Sequence, residues 1–325
     1  MEETILNRGK IKRSKKIYFM SYMPQFFNLY YSSLKANIDR LNDSRQLKKE
    51  FFEKLKYELN LDSPRSYNEK IQWKKLYDRN PLLTVTADKY AVRSYLKSVL
   101  GEKSASELLI PLYHVTDKPE NIPFGELPEK FVVKPNHGSQ MHIFVEDKNQ
   151  LPYELIIKEC KRWLKVNFGF YTGEWAYRNI KRKILVEKML ETETGEMPLD
   201  YKLYCFHGKC KLIRVSGNRF GEEVLSGYFD TDWNLLPFGV PGYKCNHPYD
   251  KPGNLGEMIS LAECLSKPFD YVRVDLYSIG KKTYFGELTH YEASGMGRLE
   301  PESFDFMLGQ YWNIEPGYWQ KKPQL

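Results

Sequence analysis

The chain has 325 residues, 42% hydrophobic and 15% aromatic, with Lys+Arg 49 against Asp+Glu 42 for a net charge of +7. That length allows one large or two ordinary domains, and the apolar content argues against a disordered chain. Five cysteines (Cys160, Cys205, Cys210, Cys245, Cys264) with no Cys-x-x-Cys pair argue against a disulfide framework or structural zinc, and for a reducing compartment. The basic excess is dispersed without a stripe or a nucleic-acid-binding motif, so no nucleic-acid partner is expected, and no repeat points to a solenoid.

From the amino terminus, the basic run Arg8 to Lys16 precedes an uncharged aromatic stretch, Ile17 to Leu34. Pro24, Gln25 and Asn28 interrupt that stretch, which argues against a signal peptide or membrane span. Two readings of residues 8–34 stay open: contact with an anionic membrane surface, or packing of the aromatics onto the main body. Residues 1–80 read as a helical segment. Ser66-Tyr67-Asn68-Glu69 is a capping box that opens a helix ending before Asn80-Pro81. A second helix is expected from Thr86 to Gly101, with Lys89 and Arg93 side by side at i,i+4 spacing.

Beyond Ile110 strands alternate with loops. Phe131 to Val145 reads as strand, glycine-containing loop, strand, and a helix follows over 154–166. Ile184 to Leu190 is an apolar strand running into the acidic stretch Glu191 to Glu196. Asp200 to Ser216 is a hairpin turning at His207-Gly208, and Gly227 to Phe238 is another. Asn254 and Glu257 read as cap and capping-box partner of a helix ending at Lys267. The class is α+β.

Chemistry concentrates in Asp270 to Gly295. A hairpin centred on Lys281 places Asp275 opposite Glu287 and Arg273 opposite Thr289, all on one face, with Val274, Leu276, Gly286 and Leu288 on the buried face. Two carboxylates across a ladder, with Cβ atoms ~4.5–5.5 Å apart, repel each other. Either a divalent cation such as Mg²⁺ relieves that repulsion or neighbouring Lys and Arg side chains do. Lys134, at the end of an apolar strand before Pro-Asn-His-Gly-Ser-Gln, suits phosphate binding by a loop of backbone N–H groups; an ordinary hairpin explains the same residues. Asp230-Thr231-Asp232 admits two readings as well, a metal–nucleotide-sugar site of a glycosyltransferase or a hairpin turn. Arg214, Arg219 and Tyr228 are candidates for an acceptor site. His137 and His142 flank the Lys134 loop, and His290 falls on the core side of its strand.

The order of these elements, with the strings SYNEKIQW, TADKYAVR, EKFVVKPNHGS, ILVEKML, DYKLYCFHGK, FDYVRVDLY and GELTHYEASGMG, resembles the ATP-grasp superfamily and within it the branch linked to teichuronopeptide and capsular polysaccharide synthesis. The resemblance covers Asp88 to Gly297. It implies two α+β lobes sandwiching ATP, a first lobe over 81–190 and a second over 191–325, after the helical segment 1–80. Lys134 would hold the α- and β-phosphates together with Arg93 or Lys89, under a mobile loop containing Gly138 and Ser139. Glu187 would meet the adenine amino group, the backbone of Lys188, Met189 and Leu190 the adenine edge, and Asp200 the ribose. Lys202 would reach the γ-phosphate, Asp275 and Glu287 would ligate Mg²⁺, and Arg273 would face the developing negative charge. Thr289 stands where most of the superfamily has Asn, offering only a hydroxyl to a second metal, and Arg93 where many members have Lys. The implied activity is ADP-forming ligation of a carboxylate to an amine. The implied partners are a uronic acid or amino sugar and an amino acid or amine, in the cytoplasm or at the inner membrane face.

Overall fold

A computed structural model describes residues 17–21, 45–150, 152–217 and 224–320. Its strands are β1 (Ile17–Ser21), β2 (Leu112–Thr116), β3 (Phe131–Pro135), β4 (Met141–Val145), β5 (Ile184–Lys188), β6 (Asp200–Phe206), β7 (Lys209–Gly217), β8 (Leu225–Phe229), β9 (Leu235–Leu236), β10 (Tyr271–Ile279) and β11 (Lys282–Thr289). Its helices are α1 (Arg45–Leu55), α2 (Tyr67–Tyr77), α3 (Leu82–Ala87), α4 (Val92–Leu100), α5 (Glu102–Leu108), α6 (Tyr153–Lys165), α7 (Phe168–Tyr171), α8 (Leu255–Ser266) and α9 (Glu302–Gln310), beside short 3₁₀ turns. The strands form two sheets, β1-β4-β3-β5-β2 and β11-β10-β6-β7-β8-β9, in which every neighbouring pair is antiparallel.

Helical spacing of apolar residues covers each sheet. Ile156, Cys160 and Trp163 of α6 pack with Phe131, Val133, Ile143 and Val145 of the first sheet. Met258, Ala262 and Leu265 of α8 join Leu203, Ile213, Val272 and Val274 of the second. Each such large side chain contributes about 1.5–3 kcal/mol by leaving water.

The capping box forms as the sequence dictates: Ser66 Oγ accepts from Glu69 N at 3.1 Å, and Glu69 Oε2 accepts from Ser66 N at 2.9 Å. Three expectations need correction. Residues 17–21 are a strand, not helix; this uncharged, aromatic-rich segment pairs along β4 and covers what would otherwise be an open sheet edge. The rest of residues 8–34 lies outside the described residues. The helix expected from Thr86 to Gly101 is two helices, because Asp88 Oδ1 accepts from the backbone N–H groups of Tyr90 (2.8 Å) and Ala91 (3.2 Å), while Lys89 N donates to Asn136 O (2.9 Å). Lys89 therefore sits in the break, and only Arg93 is on the second helix. Asn254 precedes α8 without capping it; its amide donates to Thr283 Oγ1 and accepts from Ser278 Oγ, both at 2.9 Å, bracing the β10–β11 hairpin.

That hairpin is tighter than expected by one residue. Its turn is Gly280-Lys281, with Ile279 opposite Lys282, and a bulge at Gly286 restores the pairing so that Asp275 does face Glu287 and Arg273 does face Thr289. Phe285, not Gly286, stands opposite Leu276. A Cβ at Gly286 would lie 2.9 Å from Asp275 O, too close for any side chain. Gly286→Ala is expected to cost about 1–3 kcal/mol in chemical denaturation, the usual cost of overpacking; a neutral result would mean that the bulge relaxes freely.

Candidate active site

From the first sheet, Lys134 at the end of β3 reaches Glu187 on the neighbouring β5, Nζ to Oε2 2.5 Å. Gly138 turns the following loop at φ +73°, where a Cβ would collide with Met141 Cε (2.6 Å) and the Phe168 ring (2.7 Å), so only glycine fits. Ser139 is exposed at the loop tip. Lys89 spans the two sheets: its Nζ donates to Gly138 O (2.6 Å) and stands 3.8 Å from Glu287 Oε2. Burial draws the Lys89 ammonium below the ordinary lysine range against the pull of Glu287.

Arg93 donates to Ile110 O (3.0 Å) and feels the Glu187 charge; burial lowers its guanidinium somewhat. With Tyr90, Lys97, Leu109, Pro111 and Leu112 it lines a cavity of about 500 Å³ at the end of β2, and β2 pairs with β5 at Glu187. Lys188 N donates to Pro111 O (2.9 Å), while Met189 and Leu190 are buried behind it. The cavity thus adjoins both the guanidinium and the strand end that the sequence resemblance assigned to the nucleotide.

On the second sheet one cross-strand row runs Glu287–Asp275–Lys202 over β11, β10 and β6. Arg273 lays its planar fork on Asp275, Nε to Oδ1 2.7 Å and Nη2 to Oδ2 2.6 Å, and its Nη1 meets Glu292 Oε1 at 2.9 Å. Thr289 Oγ1 donates to Glu287 Oε1 (2.7 Å) and accepts from Arg273 Nη2 (3.2 Å). Lys202 pairs with Asp200 and lies 3.8 Å from Asp275 Oδ2. The two environments split the carboxylates. Burial pushes Asp275 up to about 6 in spite of Arg273 and Lys202. Burial also opposes ionisation of Glu287, but Lys89, Arg273 and the Thr289 hydroxyl outweigh it and hold that carboxyl down at about 2.

Glu292, not singled out from the sequence, completes the group. It accepts from Tyr67 Oη (2.9 Å) and Tyr204 Oη (2.8 Å) as well as from Arg273. Two signals were available: its place in the string GELTHYEASG, and Tyr204 sharing the Lys202 face of β6. Other candidates fall away. Asp230 spends its carboxylate on the turn, accepting from Asp232 N (3.0 Å), Asn234 N (2.8 Å) and Asn234 Nδ2 (2.8 Å). His290 is buried, its Nε2 2.8 Å from Thr86 Oγ1, as its strand face required. His137 is buried with Nε2 3.2 Å from Val166 O. Arg219 lies outside the described residues.

Among the described residues no three His, Cys, Asp or Glu side chains cluster as a self-contained metal cage. Two facing carboxylates beside a hydroxyl nevertheless fit Mg²⁺, a hard ion commonly held by one or two carboxylates plus substrate phosphates and water. About a third of the Glu287 side chain (35%) remains open to solvent. Asp275 must be ionised to receive such an ion, so the Mg-dependent rise in Tm on adding ATP is expected to be smaller at pH 5 than at pH 7.5. The sign for the bare protein is opposite. A carboxyl whose folded pKa lies above its unfolded value binds its proton more tightly when folded, so its contribution to stability falls as pH rises between about 4 and 6. Equal ATP-induced shifts at both pH values would remove Asp275 from the metal site.

An antiparallel sheet presenting a lysine and a glycine loop, set against a second presenting opposed carboxylates, Arg and Lys, is the architecture of an ATP-grasp protein. The chain belongs to the TupA-like ATPgrasp family, whose model matches residues 69–313. Among solved structures it is similar to the D-alanine–D-alanine ligase of Bacillus anthracis complexed with ATP, at 16% identity and TM-score 0.40 over 64% of this chain and 57% of that one. It is similar too to the D-alanine–D-alanine ligase of Helicobacter pylori, at 14% identity and TM-score 0.41 over 78% and 68%. A third is the N5-carboxyaminoimidazole ribonucleotide synthetase of Thermus thermophilus, at 12% identity and TM-score 0.38 over 69% and 52%. The chain spans little more than half the length of the Bacillus anthracis ligase. No curated protein sequence matches it.

Proposed function

We propose that the protein is an ATP-dependent, ADP-forming carboxylate–amine ligase of cell-surface polysaccharide assembly, of the capsule or teichuronopeptide kind. The observation that carries the ligase reading is Lys89, which joins the Gly138 loop of one sheet to Glu287 of the other. Phosphate-binding and metal-binding groups thereby converge on one cleft. Lys134 and Arg93 hold the inner phosphates, Glu187 and the end of β5 the base, Asp200 the ribose, and Lys202 the γ-phosphate. Asp275 and Glu287, with Thr289 beside them, would hold Mg²⁺, which would supply charge neutralisation at the phosphates. A substrate carboxylate attacks the γ-phosphorus, giving an acyl phosphate and ADP. Arg273 faces the developing charge, and an amine then displaces phosphate to form the amide. The protein's part is positioning and electrostatics, with no nucleophilic side chain.

The polysaccharide context is supported only by the name of the family to which the chain belongs, and the partners we propose on that reading are a uronic acid or amino sugar, and an amino acid or amine. We place the protein in the cytoplasm; the basic run Arg8 to Lys16 is the segment whose charge suits an anionic membrane surface, since Ile17–Ser21 is taken up by pairing with β4. Among the described residues no helix is long and apolar enough to cross a membrane.

Thermal-shift titration with Mg-ATP and with Mg-UDP-sugars, on wild type and Glu287→Ala, tests the ligase reading without knowledge of the acceptor. A ligand at 100 times its Kd adds about 2.7 kcal/mol, a rise of several degrees in a chain of this size. The expected result is a Mg-dependent shift with ATP that Glu287→Ala reduces. A shift with UDP-sugar only, unaffected by Glu287→Ala, would move the chemistry to Asp230 and Asp232 and make the protein a glycosyltransferase.

A further inference from the structure

The row that carries the carboxylates does not stop at Lys202. Lys202 pairs with Arg214 on β7, and Arg214 with Tyr228 on β8, so Glu287–Asp275–Lys202–Arg214–Tyr228 is one line of side chains across five strands on one face. Two residues along each strand, Ser216 stands opposite both Asp200 and Ser226 on that face. Strands lie about 4.8 Å apart, which puts the Arg214 position on the order of 10 Å beyond Asp275, on the far side of Lys202.

The residues here are charged or polar and unusually under-used. Among the described residues Arg214 makes one hydrogen bond, Nε to Ser226 Oγ at 3.1 Å, and its Nη1 has only a long ion pair, 3.8 Å, to Glu292. Glu292 itself is taken closely by Arg273. The Tyr228 and Tyr243 rings flank the guanidinium, with centroids 5.5 and 4.8 Å away. The Ser216 and Tyr228 hydroxyls are fully enclosed, at 3% and 1% residue exposure, and neither makes a full hydrogen bond among the described residues, Tyr228 having only the Tyr204 hydroxyl near it. Leaving a buried hydroxyl unpaired costs roughly 1–3 kcal/mol, so two beside a half-satisfied guanidinium need an explanation. Arg214 is no more sealed than the groups proposed to face the γ-phosphate: its side chain is 9% exposed, against 9% for Arg273 and 8% for Lys202.

We propose that Arg214, Ser216 and Tyr228 form the subsite that recognises a second carboxylate of the substrates, not the one that attacks the γ-phosphorus, the planar guanidinium taking it in a fork and the two hydroxyls donating to its oxygens. This rests on the ligase reading above. The carboxylate belongs either to a sugar acid or to an amino acid, and the probes tell these apart.

Wild type is first titrated calorimetrically with Mg-AMPPNP; failure to bind defeats the ligase reading itself. The nucleotide-saturated protein is then titrated with digalacturonate and with glutamate, each of which carries two carboxylates. Saturable binding of one of them is expected, weakened at least tenfold in Ser216→Ala, in Tyr228→Phe and in Arg214→Lys, each first shown to bind Mg-AMPPNP. Because neither hydroxyl makes a full hydrogen bond among the described residues, Ser216→Ala and Tyr228→Phe should keep or raise the Tm of the ligand-free state while losing carboxylate affinity, which a merely structural role would not produce. Digalacturonate binding identifies the sugar acid as the source and glutamate binding the amino acid. Nucleotide binding without binding of either carboxylate, or with equal affinity in the variants, overturns the subsite.

Discussion

Arg273→Met is expected to lower ATP turnover by about 10³-fold or more in protein that still folds and binds Mg-ATP. Removing a preorganised donor at a developing charge costs about 10²–10³ in rate, and removing an arginine at a transferring phosphoryl group about 10³–10⁵. Arg273 combines both roles in the proposed reaction, and its geometry is fixed in advance. One fork lies along Asp275, the remaining Nη1 is held by Glu292, and Glu292 is in turn held by Tyr67 and Tyr204. The same substitution leaves buried Asp275 and the partly buried Glu292 without their principal cation, which costs about 3–5 kcal/mol of stability. The two effects must therefore be read apart. Activity is measured as ADP release well below the variant's own Tm, and Arg273→Lys is run beside it. Lysine keeps the charge but cannot reproduce a planar two-pronged contact. It should recover much of the stability and little of the rate. Turnover within tenfold of wild type in folded Arg273→Met would show that Arg273 only neutralises Asp275.

Much of this constellation was legible because it sits on regular strands. Period-two alternation is enough to put Arg273, Asp275, Glu287 and Thr289 on one face, and the apolar run before Lys134 is enough to end a strand there. The pairing of Asp275 with Glu287 was reached through a turn one residue too wide, and the bulge at Gly286 offset that difference. Such compensation has no local signature, since a bulge depends on how the backbone of Asp275 approaches its neighbour. Tertiary partners decided the rest. Asp88 breaks the helix because Asn136, remote in sequence, engages both its side chain and the next N–H. Asn254 leaves its helix uncapped because the β10–β11 hairpin offers Ser278 and Thr283. Glu292 follows the last strand in a turn where Ala293 and Ser294 take positive φ (46° and 57°), a conformation that alternation does not foresee. The teichuronopeptide branch was visible only in the strings themselves; no spacing or composition carried it.

The second large effect is one of stability, and it lies away from the cleft. Lys74 of α2 is wholly enclosed between Asp78 (2.5 Å) and Asp270 (2.6 Å), whose side chains are 0% and 1% exposed. Trp312 Nε1 donates to Asp270 Oδ2 at 2.8 Å, and Asp270 immediately precedes β10. One ammonium thus ties the helical segment to the strand that carries Arg273 and Asp275. Burial alone would weaken its proton, but Asp270 and Asp78 outweigh burial and hold Lys74 well above the ordinary lysine range. Lys74→Met keeps most of the volume and removes the charge, leaving two enclosed carboxylates facing each other. The expected loss is about 3–5 kcal/mol, a fall in Tm on the order of 10 °C. Asp270→Asn added to Lys74→Met should restore part of that loss, because it removes one of the two stranded charges; additive effects would mean that the ion pair carries no coupling. The pH dependence follows from the sign of the shift. A base whose folded pKa is raised contributes fully below its unfolded pKa and loses that contribution only as pH rises through the folded value. Lys74 itself therefore adds no pH dependence between pH 6 and pH 9, and the deficit of Lys74→Met should grow with pH over that range only through the stranded carboxylate pair, one member of which takes up a proton at the lower pH. Catalysis reports something different again. Lys74 does not face the cleft, so folded Lys74→Met should keep ATP turnover within tenfold of wild type; a fall approaching that of Arg273→Met would mean that the helical segment sets the position of β10 as well as its stability.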